Sequence, residues 1–290
     1  MLNNPLAEVF GFPTNNFSDR AKRYRCNKLC PYNNKVPNCT KDKAKNPLGV
    51  CSIFHRGEPV ITCPVRFRQD WLIAENAANY FFGGITNWTS LTEVRLKDAN
   101  GKSAGNIDIV LVAYNDQGEI LDFGSVEVQA VYISGNVREP FEKYVSDPRE
   151  WESIDWSKLA TYYPNPDYLS SSRKRLIPQL LYKGSILREW NKKQVIVVQK
   201  SFFDTLPALP QVESSESEIA WNLYSLEQKE DSFQLNLDNC IYTKYWAAIN
   251  QISTPKAGNL EDFVQVLQQK LDRKLDNPPD TQTILDIPLQ

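Results

Sequence analysis

Residues 106–129 read Asn106-Ile-Asp-Ile-Val-Leu-Val-Ala-Tyr-Asn-Asp-Gln-Gly-Glu-Ile-Leu-Asp-Phe-Gly-Ser-Val-Glu-Val-Gln129. Two apolar runs, 107–114 and 120–131, are separated by Asn115-Asp-Gln-Gly118, a combination typical of a tight turn. Apolar runs of this length on either side of a turn predict a β-hairpin. We expect the rest of the fold to be arranged around this hairpin.

Polar side chains with metal-binding chemistry lie on both predicted strands. Asp108 lies near the start of the first strand, and Glu127 and Gln129 follow each other on the second. Because side chains alternate between the faces of a strand, Glu127 and Gln129 should share a face, and strand pairing can bring Asp108 close to them. Carboxylate and amide oxygens suit Mg²⁺. The hairpin therefore predicts a candidate Mg²⁺ site; a sheet edge with solvated polar residues is the alternative.

The composition indicates a soluble globular protein. The chain has 290 residues, of which 41% are hydrophobic, and this is enough for a buried core. It contains no long apolar run, and the residues Met1-Leu-Asn-Asn-Pro5 lack the features of a secretory signal. We therefore expect an intracellular, cytoplasmic protein with no membrane partner, in which disulfides are disfavoured.

The net charge of −2 gives no overall attraction to nucleic acid, so any DNA-binding surface must be local. Basic residues do cluster along the chain. The candidates for DNA contacts are Lys41 and Lys43 in one cluster and Arg173, Lys174 and Arg175 in another, which continues to Lys183, Arg188, Lys192 and Lys193. Basic side chains at a helix start suit phosphate oxygens, and a solvated face is the alternative for each cluster.

Most of the cysteines lie in one loop-rich segment near the N-terminus. They are Cys26, Cys30, Cys39, Cys51 and Cys63, and turn-forming proline, asparagine and glycine are interleaved with them. A segment with so few apolar residues needs a cross-link, and in a reducing compartment a tetrahedral Zn²⁺ or iron site with four thiolates is the expected one. His55 is an alternative ligand, although an exposed loop histidine is its simpler interpretation.

The remaining pattern predicts an α/β fold of the α+β kind, a mixed β-sheet flanked by helices. Helices are expected at 68–82, 168–190 and 259–275, and further strands at 90–96, 194–200, 218–226 and 232–242. Serines are expected to cap the helix 168–190. We divide the chain into an N-terminal arm with the cysteine region, 1–67, and a larger domain, 68–290. Glu75 on the first helix is a candidate additional acid for the hairpin site, or a surface acid.

Asp108 followed by Glu127-x-Gln129 resembles the active site of the PD-(D/E)xK nucleases, with Gln129 in place of their lysine. The following residues, Ala130-Val-Tyr-Ile-Ser-Gly-Asn-Val-Arg138, resemble the NotI family of type II restriction endonucleases. The other blocks similar to that family are Cys30-Pro-Tyr32, Cys39-Thr-Lys41, Gly49-Val-Cys-Ser52, Cys63-Pro-Val-Arg-Phe67 and Ser172-Arg-Lys-Arg175. Together the similar blocks extend from Cys30 to about Lys200.

The resemblance implies a PD-(D/E)xK nuclease core and a Mg²⁺-dependent enzyme that cuts double-stranded DNA at a specific site. In such an enzyme Asp108 and Glu127 would hold Mg²⁺, and Gln129 would orient the attacking water. A neutral glutamine can orient a water but does not help to deprotonate it as a lysine does. The resemblance further implies a homodimer acting on a palindromic site, a prokaryotic restriction-modification system, and a cognate DNA methyltransferase as a separate protein.

For the cysteine region the resemblance implies one mononuclear iron rather than zinc. The implied ligands are Cys30, Cys39, Cys51 and Cys63. Cys26 would lie outside this four-cysteine site, although its short spacing to Cys30 makes it the alternative ligand. The metal is expected to stabilise the fold, with no part in cleavage.

Two other functions fit the same features. A repair or mobile-element nuclease would share the core but cut DNA with little sequence preference. A non-catalytic, metal-stapled DNA-binding protein would use the carboxylates for structure alone. NTP-dependent activity is not supported, because the sequence contains no glycine-rich phosphate loop.

Overall fold

The first six strands build a small antiparallel sheet and a short hairpin. They are β1 Leu6–Val9, β2 Phe12–Pro13, β3 Asp42–Lys43, β4 Asn46–Pro47, β5 Val50–His55 and β6 Glu58–Ile61. The sheet has the order β2-β1-β5-β6, and β3 pairs with β4. This computed structural model describes residues 4–33, 35–43, 46–84, 87–149, 151, 154, 156 and 163–276.

The central element is a six-stranded mixed sheet. The remaining strands of the chain are β7 Trp88–Lys97, β8 Ser103–Tyr114, β9 Ile120–Gln129, β10 Tyr132–Ser134, β11 Asn165–Asp167, β12 Gln194–Gln199, β13 Ile219–Lys229 and β14 Ser232–Thr243. The large sheet has the order β14-β13-β12-β9-β8-β7, and β10 pairs with β11. β12 is parallel to β9 and β13, whereas the other neighbours are antiparallel. The predicted mixed sheet is confirmed.

The hairpin of β8 and β9 forms where its sequence predicts. Its register pairs Ile109 with Val126 at the open end. The side-chain oxygen of Asn115 accepts two backbone N–H groups of the turn, and Gly118 adopts a φ of 80°, which is accessible to glycine. β9 ends at Gln129 and is therefore shorter than the predicted run 120–131.

The described residues also contain several helices. The α-helices are Asp19–Cys26, Leu72–Phe82, Arg138–Ser146, Lys200–Phe203, Tyr245–Ser253 and Leu260–Asp276, with 3₁₀ segments at Pro64–Trp71 and Ser214–Glu216. A further helical run, 168–189, has α-helical turns at Tyr168–Ser171, Ile177–Gln179 and Ser185–Glu189 and π-helical turns at Ser172–Leu176 and Leu180–Gly184.

The start of the run 168–189 corrects the predicted serine cap. The carboxylate of Asp167 accepts the backbone N–H of Ser170 at 2.9 Å and is the N-cap. The hydroxyls of Ser171 and Ser172 instead donate to backbone carbonyls of the preceding residues. A carboxylate at this position also interacts favourably with the helix dipole.

The predicted continuous helix 68–82 is wrong at its start. Asp70 and Trp71 have φ values of 52° and 58°, in the left-handed region, so the α-helix begins only at Leu72. The chain turns where Gln69 accepts a long-range hydrogen bond from the backbone N–H of Leu235 at 3.0 Å. Hydrophobic periodicity carries no information about such a contact.

The large sheet lies between two apolar layers, and β12 is buried on both faces. Val195 and Val197 pack into the layer that contains the helix Leu72–Phe82. The alternate residues of β12 pack into the other layer, with side chains from the run 168–189 and the helix Tyr245–Ser253. This alternation is the period of two that a strand imposes.

The chain divides into two compact units, 1–253 and 254–290. The predicted boundary after residue 67 falls inside the first unit. In the second unit, the helix Leu260–Asp276 has a stripe of exposed apolar residues: Leu260, Phe263, Val264, Leu267, Leu271 and Leu275. Within the described ranges, no helix has both the length and the apolar character needed to cross a membrane.

Candidate active site

Two carboxyl groups meet at the open end of the hairpin. Asp108 on β8 and Glu127 on β9 lie next to the last register pair, and their carboxyl groups are close enough to hydrogen-bond to each other. The backbone N–H of Val128 donates to Oδ2 of Asp108 at 2.9 Å. The structure thus brings together the two acids that the sequence singled out.

Burial disfavours the ionised forms of the Asp108 and Glu127 carboxyl groups. Desolvation, and then the neighbouring Asp108, raise the pKa of Glu127 to about 8, although Lys183 opposes the shift. Desolvation also raises the pKa of Asp108, against the opposing effects of the Val128 N–H group and Lys183. The pair therefore holds a proton near neutral pH in the absence of a cation, and a divalent ion would relieve the repulsion.

Lys183 is the nearest basic group to the pair, and sequence reasoning had placed it only within a basic cluster. Its ammonium donates to Oε1 of Glu127, and both side chains are almost fully buried. A sequence signal for its position existed, because Lys183 shares the apolar helical spacing of Leu176, Leu180 and Leu187. A lysine on that face is expected to point into the protein.

Gln129 is buried on β9, on the face of the strand that carries Glu127. Its amide nitrogen donates to the carbonyl oxygen of Ala130 at 2.5 Å, rather than to either carboxylate. This bond fixes the orientation of the Gln129 amide and does not involve its side-chain oxygen.

A cleft of about 400 Å³ opens beside Asp108. Among its lining residues are Glu93, Arg68 and Lys35, none of which the sequence had indicated. Glu93 lies opposite Asp108, because the flanking residues Thr92 and Val94 pair with Ile109 and Ile107. Its φ is 57°. The cleft therefore offers a third carboxylate and two cationic side chains. Nothing in the local sequence distinguishes Glu93 from any other polar strand residue.

The predicted additional acid lies elsewhere. Glu75 is exposed on the helix Leu72–Phe82 and is not one of the residues lining the cleft beside Asp108. The acid that the structure places beside Asp108 is Glu93 on the neighbouring strand.

The predicted DNA contacts differ in their availability. The ammonium of Lys41 donates to Val50 O, Thr62 O and Thr62 Oγ1, so all three of its N–H groups are used internally, which corrects the expectation of a free cation. Lys43 lies in β3.

The other predicted basic cluster is accessible. Arg173, Lys174 and Arg175 are exposed in the first π-helical turn of the run 168–189. The guanidinium of Arg175 also lies 3.9 Å from the ring centroid of Tyr132. These side chains form an exposed basic patch.

The cysteine region brings four thiols into one neighbourhood. Cys63 interacts electrostatically with Cys30, Cys39 and Cys51, whereas Cys26 is exposed at the end of its helix. Burial raises the pKa of Cys30 to about 11 and also raises that of Cys51. These four are the cysteines that the resemblance selected as ligands.

The side chains in this region are not arranged as a finished metal site. Across the residues that the structure describes, no three His, Cys, Asp or Glu side chains form a group that could hold a metal ion. His55, the alternative ligand, packs edge-on against Tyr168, with 6.2 Å between the ring centroids. The chemistry of the four thiols suits Zn²⁺ or iron, but closing a tetrahedral site requires them to move together.

Comparison with known proteins identifies one family. No curated protein matches the chain. The family described as Restriction endonuclease NotI matches residues 15–237, a span that contains the carboxylate pair, the cysteine region and Lys183. Because this match covers more than half of the chain, the protein belongs to the NotI restriction endonuclease family.

Proposed function

We propose that the protein is a type II restriction endonuclease, which hydrolyses phosphodiester bonds of double-stranded DNA at a specific site in the presence of Mg²⁺. The observation that carries this proposal is the buried pair of Asp108 and Glu127 beside an open cleft. Two neighbouring carboxylates that share a proton favour binding of a cation, because the cation relieves the repulsion between their negative charges. Family membership supports the nuclease reaction, and the proposal includes a PD-(D/E)xK core.

The residues present fit a magnesium ion. Asp108 and Glu127 would hold it, and the ion supplies a bound water of lowered pKa and neutralises charge on the phosphate. The Val128 N–H group fixes one oxygen of Asp108. Gln129, whose amide nitrogen is engaged, has its oxygen to orient the attacking water. Arg68 and Lys35 on the walls of the cleft are suited to contact phosphate oxygens of the DNA backbone.

Cutting both strands of a palindromic site calls for two active sites related by a two-fold axis, so the proposal includes a homodimer. Arg173, Lys174 and Arg175, which are exposed, are the proposed contacts to the DNA backbone outside the cleft. A restriction enzyme endangers its own host, so we expect a separate methyltransferase that protects the host DNA.

The test of the function is incubation of the purified protein with phage DNA, in Mg²⁺ and in EDTA, followed by gel electrophoresis. Discrete fragments that appear only with Mg²⁺ are expected. A smear would indicate a repair or mobile-element nuclease with little sequence preference. Intact, bound DNA on substrates of differing base composition would contradict the nuclease function and favour a DNA-binding protein.

Affinity for a divalent ion should depend on pH because of Glu127. Its pKa of about 8 means that the metal-free protein retains the proton below that pH and releases it above. A divalent ion must displace this proton, so apparent affinity should fall about tenfold for each pH unit below 8 and level off above. Calorimetric titration with Ca²⁺, which also prefers oxygen ligands, at about pH 6.5, 7.5 and 8.5 measures this. A flat affinity over this range would contradict the assigned role of Glu127.

We also propose that Cys30, Cys39, Cys51 and Cys63 hold one structural iron or zinc ion. The support is the shared neighbourhood of their thiols, and the raised pKa of Cys30 and Cys51 would be reversed by a bound cation. Elemental analysis of the purified protein should find about one metal ion per chain.

The Cys63→Ser variant tests these ligands, because Cys63 interacts with each of the other three thiols. It should lose most of the metal and unfold at a lower temperature. Cys26→Ser is the matched control, and it should keep both the metal and the stability because Cys26 is exposed. Equal metal content in the two variants would contradict the assigned ligand set.

A further inference from the structure

Lys183 makes three hydrogen bonds with its ammonium group. Besides Glu127, it donates to the backbone oxygen of Asn106 at 2.8 Å and to Oε1 of Gln179 at 2.9 Å. An ammonium has three N–H groups, so each of them has an acceptor. Gly105 lies against the lysine stem, where an added Cβ would be 3.6 Å from Cδ. The cation is therefore held in one position on the oxygen of Glu127.

An irregular turn of the helical run 168–189 places Lys183 beside Glu127. Lys183 lies in the π-helical turn Leu180–Gly184, and turns of this kind leave backbone carbonyls in need of other donors. Tyr245 Oη donates to the carbonyl of Leu180 at 2.8 Å, and Gln194 Nε2 donates to that of Gly184 at 3.0 Å. Two neighbouring elements thus stabilise the irregular turn that points Lys183 at β9.

Glycine at position 184 is part of the same arrangement. A Cβ there would lie 2.9 Å from Oε1 of Gln194 and 2.9 Å from the ring of Tyr245. Only a residue without a side chain allows the helix to approach β12 and the helix Tyr245–Ser253 this closely. The position of Lys183 is thus determined by tertiary packing around it.

We propose that Lys183 is the positioning residue that supplies, from the helical run 168–189, the positive charge that Gln129 does not provide in the Glu-x-Gln pattern. It holds one oxygen of Glu127 and leaves the other for the metal ion. The inference rests on the proposed nuclease function. The positive charge of Lys183 is fixed beside the carboxylate pair. There it offsets the negative charge that develops on the phosphate during hydrolysis.

A purely structural ion pair explains the arrangement less well. A buried ion pair contributes little net stability, because desolvating both charges offsets their attraction. A lysine that served stability alone would have no reason to be directed at one of the two acids of the carboxylate pair, Glu127. The two explanations also predict different results for replacement of Lys183.

The test compares Lys183→Met and Lys183→Arg with the wild type. Lys143→Met is the control, since Lys143 also pairs with a glutamate, Glu139 at 2.9 Å, but at the surface. The readouts are Ca²⁺ affinity by calorimetry and single-turnover cleavage with Mg²⁺. We expect Lys183→Met to bind Ca²⁺ within about threefold of the wild type, or more tightly because a like charge has been removed, and to cleave at least about 100-fold more slowly. Lys183→Arg should retain more activity than Lys183→Met, and Lys143→Met should cleave within about twofold of the wild type.

A double variant tests whether a positive charge on β9 can replace that of Lys183. Adding Gln129→Lys to Lys183→Met places a lysine at the position where Gln129 now lies, on the same face of the strand as Glu127. We expect this double variant to cleave at least about tenfold faster than Lys183→Met.

The outcomes separate the inference from the function on which it rests. Normal cleavage by Lys183→Met, or loss of Ca²⁺ binding in parallel with cleavage, would overturn the positioning role and leave the nuclease function standing. Failure of Gln129→Lys to restore any cleavage would also count against it. Absence of cleavage by the wild type on every DNA tested would overturn the nuclease function, and a role for Lys183 in cleavage with it.

Discussion

Asp108→Asn is expected to abolish DNA cleavage, with a loss of at least about 10³-fold in the single-turnover rate. A metal ion contributes several kilocalories per mole to the stabilisation of such a reaction, and each factor of ten in rate corresponds to about 1.4 kcal/mol. The asparagine oxygen can still accept the N–H group of Val128, which in the wild type donates to Asp108 at 2.9 Å. The hairpin should therefore keep its structure while the site loses a negative charge that is proposed to hold the metal ion.

The measurement pairs cleavage with binding. Gel-shift titration without Mg²⁺ should give nearly unchanged DNA affinity for Asp108→Asn, because the basic side chains proposed to contact the DNA backbone are intact. Asp122→Asn is the matched control, since Asp122 lies on the same hairpin and pairs with Lys192 at the surface. This control should cleave normally. Cleavage by Asp108→Asn at the rate of the wild type would contradict the assignment of the active site.

Arg66→Met is expected to lower the free energy of unfolding by about 3–5 kcal/mol, the cost of leaving one member of a buried ion pair without its partner. Arg66 Nε lies 2.9 Å from Oε1 of Glu8, and both side chains are fully buried. The remaining guanidinium nitrogens donate to the backbone oxygen of Phe233 and to Oε1 of Gln69, each at 2.8 Å. Ser52 donates to the other oxygen of Glu8 at 2.7 Å. These bonds connect the N-terminal sheet to β14.

Urea unfolding followed by circular dichroism measures this loss. Arg138→Met is the control, because Arg138 pairs with Asp42 and Glu142 while about a third of its side chain is exposed. An exposed pair of this kind is worth less than about 1 kcal/mol. Equal destabilisation by the two variants would contradict the assigned importance of burial.

The sequence by itself determined the elements whose patterns are local. The two apolar runs and the Asn115 to Gly118 turn between them were sufficient for the hairpin. The apolar run of β12 was sufficient for a buried strand. Period two also put Glu127 and Gln129 on one face. Each of these inferences depends on residues within a few positions of one another.

Tertiary structure alone decided which distant groups surround the carboxylate pair. Lys183 reaches Glu127 from 56 positions away, through a π-helical turn held by Tyr245 and Gln194. Glu93 lies opposite Asp108 because of the register in which β7 pairs with β8.

This dependence on tertiary contacts also explains where the structure differs from the predictions made from sequence. Lys41 was a candidate DNA contact, but the carbonyl of Val50 and the carbonyl and hydroxyl of Thr62 accept all of its N–H groups. The helix expected from Arg68 onward begins only at Leu72, because Gln69 is bound to β14. Periodicity reports which face of an element is apolar, whereas the partner that meets a polar side chain depends on how separate elements pack. The sequence therefore determined the strands that carry the acids, and only the packed structure determined the lysine that holds one of them.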